Sequence, residues 1–248
     1  MIKLISINIE MDMHHDTVMP FLKLENPDVI CFQEVYEKDL PMYEEVLGMK
    51  SFFKPMSVHP SPVDGIEPGS IVGVAILTKL KAKSNYKYYV GREDSIPNFG
   101  RSQNLDIAPH PGNRVVIWVE IIHEGVIYRI ANTHLSVTFQ GVSAPYQLQE
   151  AKNVLSILDL IKDIILCGDF NAPRGLETFT LISQKYKDNI PTKYDSTLDM
   201  KLHKAVDIRS GIAKYVVDGL FSSPEYTISN VELREGVSDH KAIVAFIK

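Results

Sequence analysis

The chain has 248 residues, of which 45% are hydrophobic and 23% charged, with a formal net charge of −5. That length allows one large domain or two small ones, and the composition is that of a globular chain able to bury a full core. The acidic balance argues against tight, sequence-independent binding of duplex nucleic acid, and no apolar stretch approaches the ~20 residues of a helical membrane span.

The opening MIKLISINIE passes directly into a strand-like pattern, with no basic start, long apolar region or small-residue cleavage site. It therefore predicts no secretory signal and a cytoplasmic location. Both cysteines, Cys31 and Cys167, sit inside apolar runs and are expected as buried thiols in a reducing compartment. A short helix is expected over Asp16–Leu24, with Val18, Phe21 and Leu22 on one face and Asn26-Pro27 stopping it.

β-Branched and aromatic runs predict strands at IKLISINI, DVICFQEV, VGVAILTK, NRVVIWVEII, VIYRIANTHL, DIILCGDF, YVVDGLF, YTISNVEL and HKAIVAFI. His123-Glu124-Gly125 reads as a hairpin turn. A long helix is expected over Ser143–Leu160, with Ser143 as its cap, Pro145 in the first turn and Leu148, Ala151, Leu155 and Leu158 as its apolar stripe. A third helix is expected over Leu176–Gln184.

Strands outnumber helices, which disfavours a doubly wound parallel sheet and favours packed, mostly antiparallel sheets with helices outside. No linker or repeat divides the chain, so one domain, 1–248, is expected. Pro55–Ser70 and Gly91–Asn113 are rich in Pro, Gly and polar residues. Their length predicts loops that flank a binding cleft.

Polar residues recur at the ends of otherwise apolar strands: Asn8 in SINIE, Glu34 in CFQEV, Asn132 and His134 in ANTHL, and Asp169 and Asn171 in GDFN. Asp218 in VVDGLF and Ser238, Asp239 and His240 in VSDHK extend the series. Taken singly, a Gln-Glu at a strand end is an exposed pair, Gly-Asp is a turn, and a lone histidine is a satisfied polar residue. Asp218 is harder to dismiss, because Val216, Val217, Leu220 and Phe221 around it imply burial, and a buried carboxylate demands a partner.

In this order, the residues resemble the endonuclease/exonuclease/phosphatase superfamily, from SINI to the final SDHKAIVAFI. GVAILTK, Arg114 opening its strand, and GDFNAPRGLETFTLIS extend the match. The resemblance implies an α+β fold, a four-layer α/β/β/α sandwich of two mostly antiparallel sheets with outer helices, and an active site at one edge of the sheets. His134, where apurinic-site endonucleases place a tyrosine, and Asp218-Gly219 favour the histidine-containing branch. That branch includes nucleases, tyrosyl-DNA phosphodiesterases, deadenylases and lipid phosphodiesterases.

The resemblance implies Glu34 as principal metal ligand, with Asn8 and Asp239 partly through water, and the oxygen donors imply Mg²⁺, with Mn²⁺ as a substitute. Asp169 is expected to orient or deprotonate the attacking water, and Asn171 to hold a phosphoryl oxygen. His240, partnered by Asp218, is expected to donate to the phosphate. His134 is expected to donate toward the phosphate or leaving oxygen, with Asn132 beside it and Arg114 clamping another oxygen.

The expected function is hydrolysis of a phosphodiester by a monomer without a membrane anchor, with nucleic acid or its ends as substrate. The alternatives are a phosphomonoesterase, a lipid or inositol phosphate hydrolase, and a catalytically dead binding module. His59, His110, His123 and His203 are read as surface residues, whereas His14-His15 could line the mouth of the site. Lys54, Lys79, Lys81 and Lys83 are read as a solvated strand face, and Trp118 as core.

Overall fold

The computed structural model describes residues 1–59, 69–203 and 215–248. β1 (Ile2–Asn8), α1 (His15–Glu25) and β2 (Val29–Tyr36) form a strand–helix–strand unit, followed by α2 (Leu40–Leu47), β3 (Lys50–Val58) and β4 (Ile71–Thr78). Next come β5 (Ala82–Val90), β6 (Arg114–His123) and β7 (Val126–His134). α3 (Pro145–Ile161), β8 (Ile165–Asp169), α4 (Glu177–Ser183) and a short β9 (Lys187–Asp188) follow. β10 (Asp218–Ser222), β11 (Ile228–Arg234) and β12 (Ala242–Ile247) are last.

These strands build two six-stranded sheets, in the orders β11-β12-β1-β2-β4-β3 and β5-β6-β7-β8-β10-β9. Each sheet is mixed. Among the described strand pairs, only β1/β2 and β7/β8 are parallel, and these are the pairs connected through α1 and α3, as a parallel crossover requires. α1 stops at Asn26, which takes the left-handed conformation with φ 46° before Pro27.

Three apolar clusters define the four layers. Ile2, Leu4, Cys31 and Ile76 of the first sheet meet Val115, Ile117, Ile130 and Cys167 of the second in the central cluster. Ile5, Ile7 and Ile30 on the outer face of the first sheet pack on Val18 and Leu22 of α1 and Tyr43 of α2. Val116, Ala131 and Leu166 on the far side pack on Val154 and Leu158 of α3 and Phe179 of α4, with Trp118 half-buried against the same group. Cys31 and Cys167 are free thiols with no exposed surface, in contact across the central layer. No helix among the described residues is long and apolar enough to cross a membrane.

Several elements depart from the sequence reading. β3 and β5 were not legible as strands because each lies at an edge of its sheet, where exposed lysines and a proline are tolerated. Pro55–Val58 therefore belongs to strand β3 rather than to a loop, and 60–68 lies outside the described residues. Lys83 lies exposed on β5, whereas Lys79 and Lys81 lie in the turn before it. Ser143 does not cap its own helix, whose N-cap is Ala144. Its Oγ instead accepts the amide of Thr178, at 3.2 Å, in the first turn of α4.

Candidate active site

The period-2 alternation that fills the central layer continues past its apolar end. Ile2 and Leu4 face inward, and so do Ser6 and Asn8; Tyr128 and Ile130 are followed on that face by Asn132 and His134. Ile165 and Cys167 lead to Asp169, and Leu220 shares its face with Asp218. One end of the inter-sheet space is therefore polar, at the C-terminal ends of both parallel pairs. A cavity of about 440 Å³ opens there, lined by Asn8, Glu34, Arg114, His134, Asp169, Asn171, Asp239 and His240 among others.

Simple alternation would not bring Glu34 to this place. The pairing of β2 with β4 slips between Phe32 and Val35, which inserts one extra residue, and Glu34 takes the left-handed conformation with φ 53°. A bulge of this kind re-aims a side chain near the end of a strand, and a non-glycine residue held at positive φ stores backbone strain there. Glu34 Oε1 accepts Asn8 Nδ2 at 3.2 Å, and the same Nδ2 donates to Asp169 Oδ2 at 3.0 Å. Asn8 Oδ1 accepts the Glu10 amide at 3.1 Å. Asn8 thus bridges two carboxylates with its N–H₂ group and must turn its amide over to offer oxygen to a cation.

The GDFN stretch is a turn and part of the site at once. Gly168 is required because a Cβ there would lie 2.4 Å from the Thr133 carbonyl. Asp169 Oδ1 accepts the Asn171 amide at 2.8 Å, with Asn171 at φ 47°. This turn aims Asn171 Nδ2 at His134 Nε2, 3.0 Å away, and at the Leu135 carbonyl, also at 3.0 Å.

Asp169 and Asp218 stand opposite each other on β8 and β10. Like charges in that register repel, and His240 relieves them. Its Nδ1 lies 2.8 Å from Asp218 Oδ2, and its Nε2 lies 3.7 Å from Asp169 Oδ2. Burial alone would lower the His240 pKa, but the Asp218 and Asp169 carboxylates outweigh it and hold the ring well above the usual histidine range. His134 is its opposite: burial, then Arg114 and His240, hold it well below that range, so His134 is the neutral member of the pair.

The carboxylates show the same crowding. Burial, followed by the charge of Asp239, raises Glu34 to about 7, and burial raises Asp169 to about 6. Negative groups at this density call for an added cation. Ligand atoms within 4.8 Å of one another occur in Glu10–His14–Asp239, His203–Asp239–His240 and Asp169–Asp218–His240. Glu34 falls in none of these triplets, whereas Asp239 belongs to two. The donor set of carboxylates, an amide and imidazoles fits a hard divalent ion.

The sequence profile of the Endonuclease/Exonuclease/phosphatase family matches residues 5–240. The chain belongs to this family. Its members hydrolyse phosphoesters, and they are generally dependent on a divalent metal. No curated protein sequence matches the chain. Among solved structures it resembles an endonuclease/exonuclease/phosphatase of Bacteroides vulgatus at 19% identity and TM-score 0.69, covering 100% of this chain and 98% of that one. A mannosyl-6-phosphatase of Bacteroides thetaiotaomicron matches at 15% identity and TM-score 0.68, covering 100% of both chains. The human Nocturnin catalytic domain, solved with bound sulfate, matches at 17% identity and TM-score 0.70, covering 100% of this chain and 93% of that one. At these identities the likeness is one of fold.

Within the family fold, the structure gathers Asn8, Glu34, Arg114, His134, Asp169, Asn171, Asp239 and His240 around one cavity, with Asp218 behind His240. Asn132 is not among them, which corrects its reading as a phosphate ligand. It has no exposed surface; its Nδ2 donates to the carbonyls of Phe32 at 2.7 Å and Ala75 at 3.0 Å, and its Oδ1 accepts Gln33 Nε2 at 2.7 Å. It ties the two sheets together directly beneath the site.

Three histidines read as surface residues are also relocated: His59, His110 and His203 line the cavity. His59 is buried and stacks on Phe99 with ring centroids 4.9 Å apart. His123 stays at the β6–β7 turn, half-exposed. Of the pair at the start of α1, His14 lies 3.0 Å from Glu10, whereas His15 packs edge-on against Tyr43. Glu10 was missed by sequence reasoning, although its spacing of two from Asn8 was the available signal. The 91–113 segment flanks the cavity through Phe99, Arg101, His110 and Pro111, as its length predicted.

Proposed function

We propose that the protein is a divalent-metal-dependent phosphodiester hydrolase, with Mg²⁺ as the ion and Mn²⁺ as a substitute, acting on nucleic-acid ends or small phosphodiesters. The observation that carries this reading is the convergence of Glu34, Asp169 and Asp239 on one cavity whose donors, His240, Asn171 and Arg114, suit a phosphoryl group. A cation held by Glu34 and Asp239, with Asn8 turned to assist, would supply positive charge against the phosphoryl oxygens and ease deprotonation of the attacking water.

The chain's own groups do the rest. Asp169, fixed by Asn8 and the Asn171 amide, accepts the proton of the water that attacks phosphorus, and that proton passes to the leaving oxygen as its bond to phosphorus breaks. His240 keeps its Nδ1 proton on Asp218 and presents Nε2–H to a phosphoryl oxygen. Asn171 Nδ2, by exchanging its bond to the Leu135 carbonyl for one to the phosphoryl group, takes a further oxygen. Neutral His134 accepts from Asn171 and holds that amide in place.

A cavity of about 440 Å³ suits a chain end or a compact ester better than the groove of a long duplex. The net charge of −5 supports the same preference. That limited volume also favours a second reading, hydrolysis of a phosphomonoester. The buried, unpaired thiols support a reducing compartment. Mg²⁺-dependent rates on single-stranded and duplex oligonucleotides, bis(4-nitrophenyl) phosphate and 4-nitrophenyl phosphate decide between the readings. Faster turnover of the diesters is expected, and activity confined to the monoester would overturn the leading one.

A further inference from the structure

The cavity is electrically divided. Its carboxylates, Glu10, Glu34, Asp169 and Asp239, come from the strand ends that form the reaction centre. Among the described residues, the wall built by residues 91–114 and the end of β3 contributes Arg101, Arg114, His59 and His110 to the lining, and no carboxylate. In a chain of net charge −5, such a one-signed wall is not an average surface.

Arg114 is only 9% exposed, yet Ser136 Oγ, 2.9 Å from its Nε, is its one hydrogen-bond acceptor among the described residues. The Nη groups of a guanidinium inside a cavity remain for a ligand. Glu150 stands behind Ser136, bonded to it at 2.7 Å, and so anchors the arginine without covering its fork. Arg101 is exposed on the same wall and forms no ion pair among the described residues. His110 lines the same wall, and burial, Arg114 and Arg101 all favour its neutral form.

The tautomer of that neutral ring is fixed. The Ser102 amide donates to His110 Nδ1 at 2.8 Å, so the ring proton sits on Nε2 and is available as a donor. The segment carrying these groups is held at both ends. Asn113 Nδ2 donates to the carbonyls of Arg92 at 2.7 Å and Ser95 at 3.0 Å, and its backbone amide donates to Met56 O at 2.8 Å. Val58 ties the segment to β3 by two further backbone bonds, its amide donating to the Pro97 carbonyl at 3.0 Å and its carbonyl accepting the Phe99 amide at 2.7 Å. The wall is a built surface.

We propose that Arg101, His110 Nε2 and the Nη face of Arg114 form a second anion subsite, which holds a phosphate group of the substrate other than the one hydrolysed. A volume of about 440 Å³ exceeds what one phosphoryl group fills, and the guanidinium fork matches a phosphate bidentately. The substrate class is then a phosphoester that carries a second phosphate. This deepens the phosphoester reading and rests on it for the word substrate, whereas the anion subsite stands independently.

The test is calorimetric titration of inorganic pyrophosphate into metal-stripped protein in EDTA, where the acidic end repels anions. Binding is expected for the parent and for Glu34→Gln, weakened roughly tenfold or more in Arg101→Ala and His110→Ala and partly restored in Arg101→Lys. No binding to the parent, or equal affinity in Arg101→Ala and His110→Ala, overturns the subsite. A second arm compares thymidine 5′-(4-nitrophenyl phosphate) with and without a 3′-phosphate. The parent's preference for the 3′-phosphorylated ester is expected to shrink roughly tenfold in Arg101→Ala. Intact pyrophosphate binding with no hydrolysis of either ester upholds the subsite and overturns the hydrolase reading.

Discussion

Nδ1 of His240 lies 2.8 Å from Oδ2 of Asp218, with both side chains buried. The bond fixes the imidazole tautomer, and the two carboxylates around it keep the ring protonated. Asp218→Asn preserves shape and removes one of those charges. Turnover is expected to fall by roughly tenfold to a thousandfold. Because Asp218 raises the His240 pKa, its loss moves the basic limb of the pH–rate profile downward. His240→Ala is expected to be at least as severe, with the double variant little worse, since the two act as a unit. Additive losses in the double variant would separate them.

Metal affinity is expected to follow the titration of the crowded carboxyls. Glu34 at about 7 and Asp169 at about 6 are largely protonated at pH 5 and ionised at pH 8. Raised carboxyl pKa values mean that ionisation destabilises the metal-free fold as pH rises from about 4 to 7, and a bound cation removes that penalty. The rise in Tm produced by saturating Mg²⁺ is therefore expected to be larger at pH 8 than at pH 5. An equal rise at both would place the ion elsewhere.

Asn132 separates a structural tie from a substrate ligand. Asn132→Ala leaves the Phe32 and Ala75 carbonyls and Gln33 Nε2 without their partner inside the fold. The expected loss is about 2–4 kcal/mol of stability, read from the denaturant midpoint. Turnover per folded molecule should stay within about twofold of the parent. A selective rise in KM at unchanged stability would return Asn132 to the substrate.

Gly91 holds the segment that walls the cavity. It takes φ +68°, and a Cβ there would lie 1.8 Å from Asn113 Oδ1. Gly91→Ala is expected to break the Asn113 tether and to shift oligonucleotide turnover more than turnover of bis(4-nitrophenyl) phosphate. Equal effects on both substrates would remove the segment from substrate selection.

The polar end of each inner strand was legible because alternation is a property of the sequence. Once Ile130 and Cys167 face inward, His134 and Asp169 must follow them. The Glu34 bulge was not legible, because one inserted residue becomes visible only through its register against β4. Asn132 carries the same spacing as His134 but sits one pleat deeper, where the opposing sheet satisfies it before a ligand can. His59 and His110 looked like surface residues because Gly and Pro surround them, and only the folded-back segment 91–113 turns them inward. Edge strands β3 and β5 lacked a continuous apolar run for the same reason that they are edges.

The central claim is that the Glu34 and Asp239 carboxylates hold a divalent ion beside an attacking water whose proton Asp169 accepts. Its most direct measurement is release of 4-nitrophenolate from bis(4-nitrophenyl) phosphate by EDTA-stripped protein, titrated with Mg²⁺ and compared with Glu34→Gln and Asp169→Asn. The stripped protein should be inactive and recover with Mg²⁺ or Mn²⁺; Glu34→Gln should need more metal, and Asp169→Asn should lose roughly a hundredfold or more at saturation. Full activity in excess EDTA, or a metal titration unchanged by Glu34→Gln, would contradict the account.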